Sequence, residues 1–243
     1  MRIDTSRYNN IVVLTGAGIS AGSGLRTYRG PDGVWEEHNV EEYGHVQALL
    51  EHPELTWQLF GTMRAPLRAA KPNAAHLALA RVEAGLHRGQ QFLLITQNVD
   101  SLHQRAGSKN VVELHGNVGF TRCSNESCDL QPFADDQAHA ASVPRCPKCS
   151  SVLRPHVVLF GEAIPALASW QSKRALRDCD LFIAIGTSGV VAPASSFVRS
   201  AAYAGARTVY VNLEPLSPKN PAFQEEYLGK AEDMLPELLG LGT

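Results

Sequence analysis

The chain alternates short, almost wholly apolar runs with glycine-rich or polar clusters. Residues 11–14, 92–95, 111–114, 181–185 and 208–211 form such runs, rich in Val, Ile, Leu and Phe. Each has the length of a strand, and the lack of in/out alternation is what a parallel sheet covered on both faces requires. Between the runs the period becomes that of a helix. Across residues 36–70, Tyr43, Val46, Leu49 and Leu50, then Leu55, Leu59 and Phe60, are spaced for one helical face. Pro53 reads as the first residue of a new helix, with His52 at the boundary. Asn73 is an N-cap candidate for a helix carrying His76, Leu79, Ala80 and Val82 towards Gly85. Residues 153–160 look strand-like, and residues 222–241 read as one or two terminal helices broken at Pro236. This alternation predicts an α/β protein with an open, mostly parallel, Rossmann-like sheet and helices on both faces. The expected division is a main domain from residues 1–35, 72–118 and 157–243, a small helical module at 36–71 and an inserted module at 119–156.

The polar clusters sit where the runs end, and ligands gather outside the carboxyl ends of parallel strands. The first run leads into Gly16-Ala17-Gly18-Ile19-Ser20-Ala21, a turn whose backbone amides can approach a pyrophosphate. A plain tight turn is the competing reading. The second run ends in Gln97-Asn98-Val99-Asp100, the third in His115-Gly116, and the later two in Gly186-Thr187-Ser188 and Asn212-Leu213-Glu214. Together these ends define a cleft for a dinucleotide. An imidazole titrates near neutral pH, so His115 is the candidate general base; alone, it would more simply cap a strand. His76 and His103 are expected to serve packing, capping or hydrogen bonding. Arg26, Arg29 and Trp35 fall in a Gly/Pro-containing loop, read either as a cover over the phosphates or as a solvated connection.

Composition narrows the partners. In 243 residues, 44% are hydrophobic and the net charge is -2, which supports a large core and argues against a basic nucleic-acid surface. No run is long enough for a secretory leader or a membrane span, so the expected compartment is the cytoplasm. The cysteines change the picture of residues 119–156. Cys123 and Cys128, then Cys146 and Cys149, form two close pairs across a polar stretch, the spacing of a closed tetrahedral zinc site; two disulfides are the competing use. Such a site is structural, because no coordination position stays open. Cys179 is left over, as a buried thiol near a strand start.

The motifs Gly16-Ala17-Gly18-Ile19-Ser20, Thr27-Tyr28-Arg29, Thr96-Gln97-Asn98-Val99-Asp100, His115-Gly116, the four cysteines, Val157-Val158-Leu159-Phe160-Gly161-Glu162, Gly186-Thr187-Ser188 and Asn212-Leu213-Glu214 occur in one order over nearly the whole chain. In that order they resemble the sirtuins, NAD-dependent protein lysine deacylases, and the bacterial members most. The resemblance implies that NAD and the acylated lysine of a protein substrate meet in a tunnel. The acyl oxygen attacks the ribose carbon as nicotinamide leaves, and His115 then acts as base on a ribose hydroxyl. The products are lysine, nicotinamide and O-acyl-ADP-ribose. By the same resemblance Asn98 orders the ribose and a water, Asp100 holds the nicotinamide carboxamide, and Gln97, Ser188, Asn212 and Glu214 contact ribose or adenosine groups. Arg29 lies over the phosphates. Gly16, Ala17, Gly18, Ser20, Gly186 and Thr187 complete the cofactor set. The segment with Val157, Phe160, Gly161 and Glu162 pairs with the peptide as an added strand. One structural zinc is implied, and neither a membrane nor a nucleic acid as partner.

Two departures bear on specificity. Relatives preferring succinyl or malonyl lysine carry Tyr-x-x-Arg before the Pro-Asn-Ala-x-His helix. Here Arg64 remains as a candidate substrate contact, but Gly61 stands at the tyrosine position, or Phe60 and Met63 occupy the pair in a shifted register. A less polar acyl group, acetyl above all, is therefore expected, with acidic or longer acyl groups as the alternative. Gly22 stands where relatives often have glutamate. ADP-ribosyl transfer or NAD hydrolysis on the same scaffold, and a non-enzymatic NAD-sensing or nucleic-acid-binding zinc protein, are the competing functions.

Overall fold

The computed structural model describes residues 2–27, 40–139 and 141–241. The loop position Arg29 and its neighbour Trp35 lie outside the described residues. Strand β1 (Asn10–Thr15) is central to a parallel sheet. Helices α1 (Val40–Tyr43), α2 (Val46–Glu51) and α3 (Pro53–Ala69) follow, with Pro53 at the start of α3 as its fixed φ favours. Next come α4 (Ala74–Ala84), β2 (Gln91–Thr96), α5 (Leu102–Ala106) and β3 (Val111–Glu113). An antiparallel ribbon is then inserted: β4 (Gly116–Cys123), β5 (Phe133–Ala134) and β6 (Leu153–Val157), ordered β5-β4-β6. The chain returns through α6 (Ala166–Arg177), β7 (Leu181–Ile185), α7 (Phe197–Tyr203), β8 (Arg207–Asn212), β9 (Glu225–Leu228) and α8 (Ala231–Leu238). The main sheet runs β3-β2-β1-β7-β8-β9, parallel at every pairing.

Both faces of this sheet are covered, as the apolar runs require. Ile11, Val13, Leu94, Ile183 and Val209 pack against α4 and α8 through Leu79, Val82, Leu235 and Leu238. The intervening Val12, Leu14, Ile95, Phe182 and Tyr210 pack against α6 and α7 through Leu176, Phe197 and Ala201. A third cluster, with Leu49, Leu59, Phe60, Val118, Val157 and Leu159, joins the helical module to the ribbon.

The turn after β1 enters a 3-10 helix, Ala17–Ser23. Two expectations for the C-terminal stretch are corrected. Residues 222–241 hold the edge strand β9 before their helix, and Pro236 sits inside α8 without breaking it. A helix of this length loses only one ladder bond to proline. The first strand of the ribbon, β4, starts directly after His115.

Asn73 caps α4 as its sequence position suggests. Its Oδ1 accepts from Ala75 N and His76 N, His76 Nδ1 accepts in return from Asn73 N, and its Nδ2 donates to Ile19 O at 2.8 Å and Ser23 Oγ at 3.1 Å. Asn73→Ala is expected to destabilise the protein by about 1–2 kcal/mol. Urea unfolding should then show a lower midpoint at an unchanged slope.

Candidate active site

The carboxyl ends of β1, β2, β7 and β8 are stitched together by polar contacts. Gln97 Nε2 donates to Thr187 Oγ1 at 2.9 Å. Tyr210 Oη donates to Thr187 O at 2.8 Å, and Asn212 Nδ2 donates to Tyr210 Oη at 2.8 Å. At the turn after β1 the backbone passes against the end of β7. A Cβ on Gly18 would lie 2.7 Å from the Gly186 Cα, and Gly186 itself has φ +60°, so this crossing admits only glycine on both sides.

Above these ends opens a cleft of about 1070 Å3, large enough for a dinucleotide and a peptide side chain. Gly16, Ala17, Gly18, Gln97, Asn98, His115, Gly186, Thr187, Ser188, Asn212 and Glu214 all line it, as do Val157, Phe160, Gly161 and Glu162 from the ribbon side. The sequence thus brings to one place most of the residues singled out from scattered strand ends.

His115 Nδ1 lies 2.9 Å from the Gln97 carbonyl. A carbonyl only accepts, so Nδ1 carries the proton and Nε2 is left as the basic atom. Burial holds the His115 pKa below the ordinary histidine value, against the pull of the Gln97 carbonyl. The imidazole is therefore neutral at physiological pH, the form a base must have. Asn98 points its Nδ2 inward, to Gly16 O at 3.1 Å and Ser20 Oγ at 3.2 Å. Its Oδ1 remains an acceptor for a hydroxyl or a water.

Ser20 and Asp100 stand behind the cleft wall instead of on it. Both are buried, with Ser20 Oγ donating to Asp100 Oδ2 at 2.7 Å and Leu102 N donating to Asp100 Oδ1 at 2.9 Å. His76 and His103 lie behind them with ring centroids 4.8 Å apart. Burial drives their pKa values down, to about 4 and about 3, so both rings are neutral. His103 Nε2 pairs with Thr15 Oγ1 at 2.9 Å, the structural role expected of it.

Arg64, the candidate acyl contact, is packed between α3 and the ribbon. It is buried, does not line the cleft, and meets five acceptors with its five N–H groups. Nε donates to Val118 O at 2.9 Å, Nη1 to Gln137 O at 2.6 Å, and Nη2 to Phe120 O at 3.2 Å and Thr121 Oγ1 at 2.8 Å. Asp135 completes the set as an ion pair 3.0 Å from Nη1. Burial alone would raise Asp135; hydrogen bonds from Thr121, Gln137, His139 and Arg64 hold it well below the carboxylate range. Gly61 permits this arrangement, because a Cβ there would lie 2.0 Å from Ala138 O.

Glu162 lines the cleft, but its carboxylate is engaged from behind. Arg154 Nη1 and Nη2 hold its two oxygens, and Leu159 N donates to Oε2 at 2.8 Å. It fixes the turn that presents Val157 to Gly161. At Gly22 the space of a side chain is taken by Glu232, whose Cδ would lie 2.4 Å from a Cβ. Glu232 and Gly229 to Ala231, at the end of β9, also line the cleft and were missed in the sequence because β9 was missed.

In the ribbon the sulfurs of Cys123, Cys128, Cys146 and Cys149 lie within 4.8 Å of one another, with Cys123–Cys149 at 3.5 Å and Cys128–Cys146 at 3.7 Å. Four converging thiols at non-bonded separation fit a metal and not two disulfides. Cys179 is apart and buried, its thiol pushed up to about 12 by burial.

A parallel sheet with a dinucleotide-sized cleft at its carboxyl ends, a neutral histidine in the wall and a ribbon beside it whose four thiols could hold a metal define the class of fold. The chain belongs to the Sir2 family, whose sequence profile matches residues 16–193. It is 43% identical to the "NAD-dependent protein deacylase" of Vibrio parahaemolyticus, over 96% of this chain and 94% of the relative. It is 44% identical to the protein of the same description from Pasteurella multocida, over 94% and 96% of the two chains. Among solved structures, a Sir2 homologue in complex with NAD superposes with a TM-score of 0.87 at 38% identity, covering 97% of this chain and 90% of that one. A Sir2 variant with a deacetylated p53 peptide and 3'-O-acetyl-ADP-ribose gives 0.85 at 31% identity, covering 99% of both.

Proposed function

We infer that this chain removes acyl groups from lysine side chains of proteins and consumes NAD in doing so. The observation that carries this is the ring of His115: its Nδ1 proton is tied to the Gln97 carbonyl, it is neutral, and it stands in the cleft beside Asn98. NAD would supply an activated ribose carbon and hydroxyls that become nucleophiles. The residues of the chain do the rest. Gly16 to Gly18 bring backbone close to the diphosphate. Gln97, Ser188, Asn212 and Glu214 offer partners for ribose and adenosine hydroxyls. Asn98 offers an acceptor to the ribose next to nicotinamide, and His115 Nε2 takes a proton from a hydroxyl. Ser20 and Asp100 brace Asn98 from behind. Arg29 would cover the phosphates.

Val157 to Gly161 would take the substrate as an added strand, reading its backbone more than its side chains. The four cysteines would hold one zinc ion, which braces the ribbon and takes no part in the chemistry. The division we propose is a Rossmann-like domain (1–35, 72–118, 157–243), a helical module (36–71) and a zinc module (119–156). Among the described residues no helix is long and apolar enough to cross a membrane. We place the protein in the cytoplasm, where thiols serve metals in preference to disulfides.

The test is mass spectrometry of NAD and acyl-lysine peptides with the zinc-loaded protein. O-acyl-ADP-ribose and free lysine are expected; ADP-ribose attached to protein, or free ADP-ribose alone, would favour the transferase or hydrolase reading. Acyl preference follows from Arg64. An acidic acyl group needs free donors, and this guanidinium has none left. Acetyl and butyryl peptides are expected to turn over at least about tenfold faster than the succinyl peptide, the ratio for one lost charge-assisted hydrogen bond. Equal turnover of the succinyl peptide would defeat this.

A further inference from the structure

The ribbon has two unlike faces. One carries Thr121 and meets Arg64. On the other, Arg122 pairs across the strands with Arg154, and His156 follows two residues on. Side chains alternate along a strand, so these three share a face. Among the described residues Glu162 is the carboxylate within ion-pair range of the two arginines. Arg154 takes it with both Nη atoms, while Arg122 Nη2 stays 3.9 Å from Oε1. Glu126 acts on Arg122 only through space. Arg122 Nε, Arg154 Nε and His156 Nδ1 are shielded from solvent and have no hydrogen-bond partner. Yet the Arg122 side chain is 30% exposed, so it can be reached from outside.

Arg122 is thus an incompletely paired cation 3.9 Å from Glu162, the lining residue that follows the cleft wall of Val157 to Gly161. We propose that Arg122 reads an acidic side chain flanking the acylated lysine, so that the enzyme selects sites with a nearby Glu or Asp on the ribbon side. The proposal rests on the reading of that wall as the substrate strand. A carboxylate is the matching group: it accepts from the planar fork of a guanidinium and offsets the excess positive charge of the cluster. A neutral amide in the same place would leave that charge standing.

The experiment compares acetyl-lysine peptides with Glu or Gln at each position within three residues of the lysine. At one or two adjacent positions Glu is expected to lower KM about two- to fivefold with little change in kcat, the range of a partly exposed ion pair. High salt should shrink the difference. In Arg122→Gln the Glu and Gln peptides should become equal, with turnover of the Gln peptide, metal content and Tm unchanged; Arg122→Lys should keep part of the preference. Equal KM at every position in the unaltered enzyme would overturn the proposal, as would a Glu preference that survives Arg122→Gln. No turnover of any peptide with NAD would strike the deacylase reading itself, and this one with it.

Discussion

Replacing His115 with alanine is expected to lower deacylation by about a thousandfold or more, while secondary structure, metal content and NAD binding stay near those of the unaltered chain. Removal of a positioned base costs roughly 10²–10⁴ in rate. The upper part of that range applies because the described cleft wall offers no second imidazole: His76 and His103 are buried behind it. The fold should survive, since His115 makes one ring hydrogen bond, to the Gln97 carbonyl, at a strand end. The same ring sets the pH profile. Burial depresses its pKa, so the neutral form persists below the usual histidine value of about 6.5. The rate should therefore be flat through neutrality and fall only as pH drops below that value, with the acid limb absent from the alanine variant. An acid limb centred above 6.5, or a variant with full turnover, would remove His115 from its role.

Removing the zinc proposed for the four cysteines is the second large effect expected. The ribbon's own apolar cluster consists of Cys123, Cys146 and Leu153, with Leu130 and the other two cysteines around them. That is too little to hold residues 124–150 in place, and a structural zinc contributes on the order of 10 kcal/mol to folding such a module. A strong chelator, or Cys146→Ser, should abolish hydrogen-exchange protection across β4 and β6 and abolish turnover. Protection in β1, β2, β7 and β8 should persist, because their two core clusters contain no residue of the ribbon. Full activity in a protein with less than one metal ion per several chains would refute the structural role.

What the sequence disclosed followed from physics that acts locally. Five of the six strands of the main sheet are legible because a doubly covered strand must be apolar throughout. The site is legible because polar residues after such strands have one place to go. The sixth strand, β9, reads Glu225-Glu226-Tyr227-Leu228; as a half-exposed edge strand it carries no apolar run, and with it went Gly229 to Glu232 of the cleft wall. The fate of Arg64 was out of reach for another reason. Its acceptors come from β4 and from residues 135–137, and only the folded ribbon brings them to α3. Ser20 and Asp100 stand out in the sequence only as strand-end polar groups; that both are buried and bonded to each other is a matter of depth. A strand-end motif does not encode depth.

The two passages between main domain and ribbon lie side by side: Val158 N donates to His115 O at 2.8 Å. One backbone hydrogen bond thus joins the residue bearing the proton acceptor to the start of the wall proposed for the peptide. Their separation is dictated by main-chain geometry and is indifferent to the length or composition of the insertion. The excursion through the cysteines can drift in sequence without disturbing that spacing, provided its two roots stay zipped.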